Sequence, residues 1–182
     1  MARAEREKPD RSQRQVRRLR RRLSAGAAIV GAAVVAVVVG WFAYRAVADL
    51  PGDKFPDLGN LHIMRETDLH APYNSDPPTS GPHLPYIAPW GVHTRLIPRE
   101  LQVHNLEDGG VVVQYSCECP ELVERLGQLV RRYDKQVVLA PYPDMKAKIA
   151  LTAWTRLLTL DEFDEARIVR FIGAYRGVDH HK

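Results

Sequence analysis

From Ala25 to Tyr44 the chain reads AGAAIVGAAVVAVVVGWFAY, twenty residues without a charge. A helix rises about 1.5 Å per residue, so this stretch covers roughly 30 Å, the thickness of a bilayer's hydrocarbon core. A lone segment satisfies its own backbone there only as a helix. The pattern therefore predicts a transmembrane helix over residues 25–48. Residues 49–61 then mix acids with two prolines and two glycines and read as a linker off the membrane. Residues 62–98 hold seven prolines and little periodicity, which excludes helix and central strand. A loop of that length is uncommon unless it is functional or packed as a layer. Tyr73, Tyr86, Ile87 and Trp90 give it apolar weight, so it is expected to wrap over a core.

Beyond the loop the pattern turns regular. Val111–Tyr115 opens on uninterrupted valines and reads as a strand buried on both faces. Pro120–Tyr133 reads as a helix, with proline at its first position and Leu122, Val123, Leu126, Leu129 and Val130 at helical spacing. Val137–Ala140 is a second strand and Ile149–Leu158 a third. Thr159 or Asp161 opens a last helix, Phe163–Tyr175, which Gly177 ends. The order β-α-β-β-α predicts an α/β or α+β fold, a small layered domain over residues 62–178 behind one transmembrane helix. Residues 179–182, with His180 and His181, are expected to be a frayed tail.

Charge sharpens the membrane reading. Residues 1–22 carry ten basic residues against three acidic, whereas residues 46–182 carry fifteen against nineteen. Clustered arginine suits nucleic acid, but the apolar span directly behind it makes residues 1–24 a basic tail that holds topology and meets anionic lipid. The arginine excess places the N-terminus in the cytoplasm, Trp41 and Tyr44 at the far interface, and the C-terminal domain outside. Ala46-Val47-Ala48 has the spelling of a signal-peptidase site, yet the apolar region exceeds the length of a signal peptide, so the anchor is expected to stay. The bilayer is thus the first partner, with a membrane or envelope protein as a further one and nucleic acid set aside.

The chemistry gathers between Val103 and Leu122, VHNLEDGGVVVQYSCECPEL. His104, Glu107 and Asp108 stand before Gly109-Gly110 and the strand; Cys117 and Cys119 stand after it. At about 3.3 Å per strand residue, Asp108 and Cys117 would lie roughly 20–30 Å apart, two sites and not one. Imidazole and carboxylate at His104, Glu107 and Asp108 suit zinc, copper, nickel or iron, and His83 is a candidate to complete such a site across space. The same residues also serve a purely structural role, hydrogen-bonding the long loop to the strand. The C-x-C of Cys117 and Cys119, ahead of a helix N-terminus, suits a soft ion such as Cu(I), Hg(II) or Zn(II) as thiolates. Thiol redox chemistry and incidental thiols are the alternatives. The tight disulfide across a single residue speaks against redox.

The blocks YNSDPPTSGPH (73–83), VHNLEDGGVVVQY (103–115) and ALTAWTRLLTLDEFDEARIVRFIGAYRG (150–177) resemble a bacterial domain-of-unknown-function family, number 3105. That family is similar in carrying a single anchor before its domain, and it implies no activity. Its central motif reads H-x-L-E-H-G; His104 and Glu107 match it, while Asp108 stands where the resemblance implies a second histidine. A full H-x-x-E-H would be an inverted zinc-protease spelling, which needs both histidines on one helix face. The valine run suggests strand here, and Asp108 removes a ligand, so a protease is not expected.

No serine–histidine–aspartate order, phosphate loop or dinucleotide fingerprint is present. The expected function is a membrane-anchored extracytoplasmic domain that binds a transition metal, copper, mercury or zinc, at His83, His104, Glu107, Asp108, Cys117 and Cys119. A binding domain is favoured over an enzyme, and no catalytic residue is assigned. The alternatives are thiol redox at Cys117 and Cys119, and an interaction domain of an envelope complex with Trp90 and the proline loop as its surface.

Overall fold

A computed structural model describes residues 11–48 and 50–181, which divide between two compact units, residues 1–49 and 50–182. Among the described residues the first unit is one helix, α1 (Arg11–Ala48). Within it Ala28–Arg45 is long and apolar enough to cross a membrane, and none of that window is buried against protein. A helix that is apolar all round and unburied has the surface of a lipid-facing span.

The second unit is built on a six-stranded mixed sheet. Its strands are β1 (Asp53–Lys54), β2 (Gly91–Val92), β3 (Val111–Tyr115), β4 (Val137–Pro141), β5 (Ile149–Ala153) and β6 (Arg156–Leu160), in the order β1-β6-β5-β3-β4-β2. β3 runs parallel to β4 and antiparallel to β5. The helices are α2 (Arg99–Glu107), α3 (Pro120–Val130) and α4 (Glu165–Tyr175). This is the mixed α/β architecture that the alternation of apolar segments predicts.

The valine run shows why β3 has no polar face. Val111 and Val113 enter a core with Leu126 and Leu129 of α3 and Ile168 and Phe171 of α4. Val112 points the other way, into a second core with Val103 and Leu106 of α2, Trp154 and the loop residues Ala88 and Ile97. Successive strand residues face opposite sides, so a strand covered on both sides reads as continuous apolar sequence. The proline-rich loop and α2 form one outer layer, and α3 with α4 the other.

Several elements differ from the sequence pattern, among them β2 inside the proline-rich loop and α4, which starts at Glu165 behind an Asp164 cap; four others carry a physical reason. The expected third strand, 149–158, is a hairpin: Ala153 pairs with Arg156, leaving Trp154-Thr155 as its turn. That turn lacks the usual Gly or Asn; Thr155 takes φ +60°, and its backbone bonds to Thr79 and Phe55 hold it there. β1 lies inside the stretch that reads as linker, paired with β6. α3 stops at Val130 because Arg132 and Tyr133 turn back onto Leu129 and Val130 with three-residue bonds. The fourth is α2: the residues ahead of Gly109-Gly110, to which the pattern assigned no element, form a helix.

Candidate metal centre

α2 begins after Pro98 and runs through RELQVHNLE, whose Glu, Leu, Gln and Arg are good helix formers. It ends because Gly109 takes φ +73° and Gly110 lies so close to the Asn105 carbonyl and the Trp90 ring that a Cβ would collide with both. Val103 and Leu106 are fully buried against the sheet. The same helical phase sets His104 and Glu107 one turn apart. Asn105 ties the helix to the loop, accepting from the Ala88 amide and donating to the Ala88 carbonyl at 2.9 and 2.8 Å.

The loop delivers the remaining groups. His62 and His83 form a parallel bridge: the Ile63 amide donates to the His83 carbonyl at 2.8 Å, and the His83 amide to that of Leu61 at 2.9 Å. Two histidines far apart in sequence are therefore side by side, with ring centroids 4.9 Å apart. Both face α2, where His104 stacks on His62 at 5.3 Å.

These groups converge on one atom, Oε2 of Glu107. His83 Nε2 lies 2.9 Å from it, His62 Nε2 3.7 Å and His104 Nδ1 3.9 Å. The Glu107 and His83 side chains are wholly buried. Asn60 donates to the other carboxylate oxygen at 2.8 Å, fixing the plane of the group. His83 Nδ1 lies 2.7 Å from the Gly81 carbonyl. A carbonyl only accepts, so the ring proton sits on Nδ1 and Nε2 is the atom turned to the carboxylate. A bare imidazole nitrogen beside a carboxylate oxygen requires a cation between them, whether a proton or a metal. A proton shared by that pair leaves His104 Nδ1 unexplained: it is buried and has no hydrogen-bond partner among the described residues. The ligand atoms of His62, His83, His104 and Glu107 all lie within 4.8 Å of one another. Ligands about 2.1 Å from one ion stand roughly 3.0–3.5 Å apart, close to these separations.

The electrostatics are consistent with ligand chemistry. Burial opposes charge on Glu107, but the Asn60 hydrogen bond and the facing imidazoles outweigh it and hold its carboxyl below the usual range. Burial depresses His104 below its ordinary value, against the pull of Asp108. Neutral imidazole is the form that binds metal.

Of the residues singled out by sequence, the structure brings together His83, His104, Glu107 and Asp108. Asp108 caps α2 and puts Oδ1 3.8 Å from His104 Nε2. Cys117 and Cys119 lie beyond the other end of β3 and are joined as a disulfide, Cα atoms 5.3 Å apart, so in this form neither sulfur is a thiolate. His70 bonds the Ala71 carbonyl and His93 that of Pro89, away from the cluster. Trp90 is only partly exposed and packs on the α2 core.

Two members of the cluster escaped sequence reasoning. His62 stands alone in an irregular stretch, and only the backbone pairing with His83 reveals it. His181 belongs to the supposed frayed tail, and this expectation is corrected. The Gly177 amide donates to the Gly109 carbonyl at 2.8 Å and the His180 amide to the Glu107 carbonyl at 2.9 Å. The tail thus satisfies carbonyls that the end of a helix leaves open, and it sets His181 Nε2 3.6 Å from Glu107 Oε2. A hydrogen bond to Asp179 pushes His181 above its ordinary pKa, against partial burial.

The family described as Protein of unknown function (DUF3105) matches residues 64–182, and the chain belongs to it. The matched span includes His83, His104, Glu107, Asp108 and His181, while Asn60 and His62 precede it. No curated protein and no solved structure matches the chain.

Proposed function

Starting from a family without an assigned activity, we propose that this protein is a membrane-anchored domain facing away from the cytoplasm that binds a transition-metal ion through His62, His83, His104 and Glu107. One observation carries the reading: three imidazoles converge on a buried carboxylate oxygen, and one of their nitrogens, His104 Nδ1, has no hydrogen-bond partner among the described residues. Three nitrogens and an oxygen suit borderline ions, copper(II) or zinc, better than mercury, which prefers thiolate. His83 is braced by the Gly81 carbonyl, the outer hydrogen bond typical of ligating histidines. The anchor rests on the apolar window of α1, and the orientation on the arginines ahead of it.

Metal content decides the matter. Full-length chain in detergent, stripped with chelator and reloaded with Cu(II) or Zn(II), retains one tightly held ion or more after gel filtration. His83→Ala and Glu107→Gln lose the ion held there. Wild type that retains no more ion than the two variants overturns the assignment.

A second reading concerns Cys117–Cys119. The disulfide sits where Cys119 caps α3, an end whose dipole favours thiolate. An incoming dithiol would attack one sulfur, release the other as thiolate and leave oxidised as a disulfide. The reduced pair would offer two thiolates to Cu(I) or Hg(II). Failure of a dithiol to reduce the folded protein, judged by the mass of the alkylated chain, removes both possibilities.

A further inference from the structure

We propose that the C-terminal tail completes a second transition-metal subsite, made by His104 Nε2, Asp108 and His181, and that the His104 ring bridges it to the first. The proposal rests on the reading of the first site given above.

The two nitrogens of His104 face different carboxylates. Nδ1 lies 3.9 Å from Glu107 Oε2, and Nε2 lies 3.8 Å from Asp108 Oδ1. His181 joins the second group, with Nε2 3.4 Å from the same Asp108 oxygen. These separations are too long for hydrogen bonds and close to those of neighbouring ligands on one ion, roughly 3.0–3.5 Å. The ligand atoms of the three residues lie within 4.8 Å of one another.

Independent features aim His181 at this spot. Asp179 Oδ1 lies 2.7 Å from His181 Nδ1 and also accepts from the His181 amide at 2.8 Å. With the proton on Nδ1, Nε2 is the bare nitrogen, the carboxylate–histidine–metal arrangement of natural sites. The tail itself is seated by the bonds to Gly109 and Glu107 and by His180, whose ring stacks on Trp154 at a centroid distance of 5.8 Å. Gly109 leaves room for it: a Cβ there would come within 2.9 Å of the Val178 backbone.

Two nitrogens and one oxygen suit a borderline divalent ion whose remaining positions are filled by water. When both His104 nitrogens ligate, the remaining ring proton is displaced to solvent and the ring bridges as imidazolate. Two ions so joined are electronically coupled, which gives the test.

The experiment is Cu(II) titration of the chelator-stripped full chain in detergent, following bound copper by equilibrium dialysis and its electron paramagnetic resonance. Wild type is expected to bind two copper ions, the integrated signal per copper falling as the second enters. His181→Ala and Asp108→Asn are each expected to bind one, with an undiminished signal. One copper in wild type, or two uncoupled coppers that persist in both variants, overturns the second subsite and leaves the first intact. No copper in any form overturns the first site as well.

Discussion

Glu107 is held by a donor on one oxygen and by imidazoles on the other, so its neighbours differ in what they contribute. Removing Asn60 deletes a hydrogen bond to a buried carboxylate, which costs about 1–3 kcal/mol. Asn60→Ala is therefore expected to lower the melting temperature of stripped protein, while Leu61→Ala, exposed beside it, leaves it unchanged; equal melting temperatures for the two contradict the clamp. Away from the site, Tyr142 donates to Asp76, and burial together with that bond pushes its phenol above its usual 10.0. A raised folded value means that stability is fully present below the unfolded value and is lost as pH rises above about 10. Tyr142→Phe is expected to lose about 1 kcal/mol at pH 8 and to show a shallower fall above pH 10. An alkaline melting profile parallel to wild type contradicts that assignment. At this scale the sequence exposed His104, Glu107 and Asp108 by residue type and proximity to the glycine pair, and His83 by residue type alone. His62 could not be seen, because what places it is backbone pairing with His83, twenty-one residues further along the chain.

At the scale of elements, β3 and α3 were legible because their periodicity is strong and their ends carry Gly or Pro. α2 was hidden between a proline loop and a valine run, too short for its period to stand out. The β5–β6 hairpin was hidden because tertiary bonds to Thr79 and Phe55, and not turn residues, hold Thr155 in its positive-φ conformation. The tail was misread for the same reason: its partners are the open carbonyls at the end of α2, which no local pattern announces. Gly109 couples these pieces. Gly109→Ala places a side chain in the left-handed region, at about 1–2 kcal/mol, and against Val178. It is expected to unseat the tail, making the amide of His180 exchange rapidly with deuterium. Unchanged exchange at His180 would mean that the tail is not seated through Gly109.

At the scale of the whole molecule, a helix long and apolar enough to cross a membrane precedes the domain, and the proposed orientation puts the domain outside the cytoplasm. A cysteine introduced at residue 5 is expected to resist a membrane-impermeant maleimide in intact cells, while Lys135→Cys, on the exposed surface of the domain, reacts. The reverse pattern would turn the domain inward, into a compartment where Cys117–Cys119 would be reduced. The central claim is that the ion is held by histidines and a glutamate at the end of α2, not by sulfur beyond the end of β3. X-ray absorption at the metal edge of the zinc-loaded full chain separates the two directly. Nitrogen and oxygen neighbours at about 2.0–2.1 Å with the outer shells of imidazole rings are expected. Sulfur neighbours at about 2.3 Å without imidazole outer shells would contradict the claim.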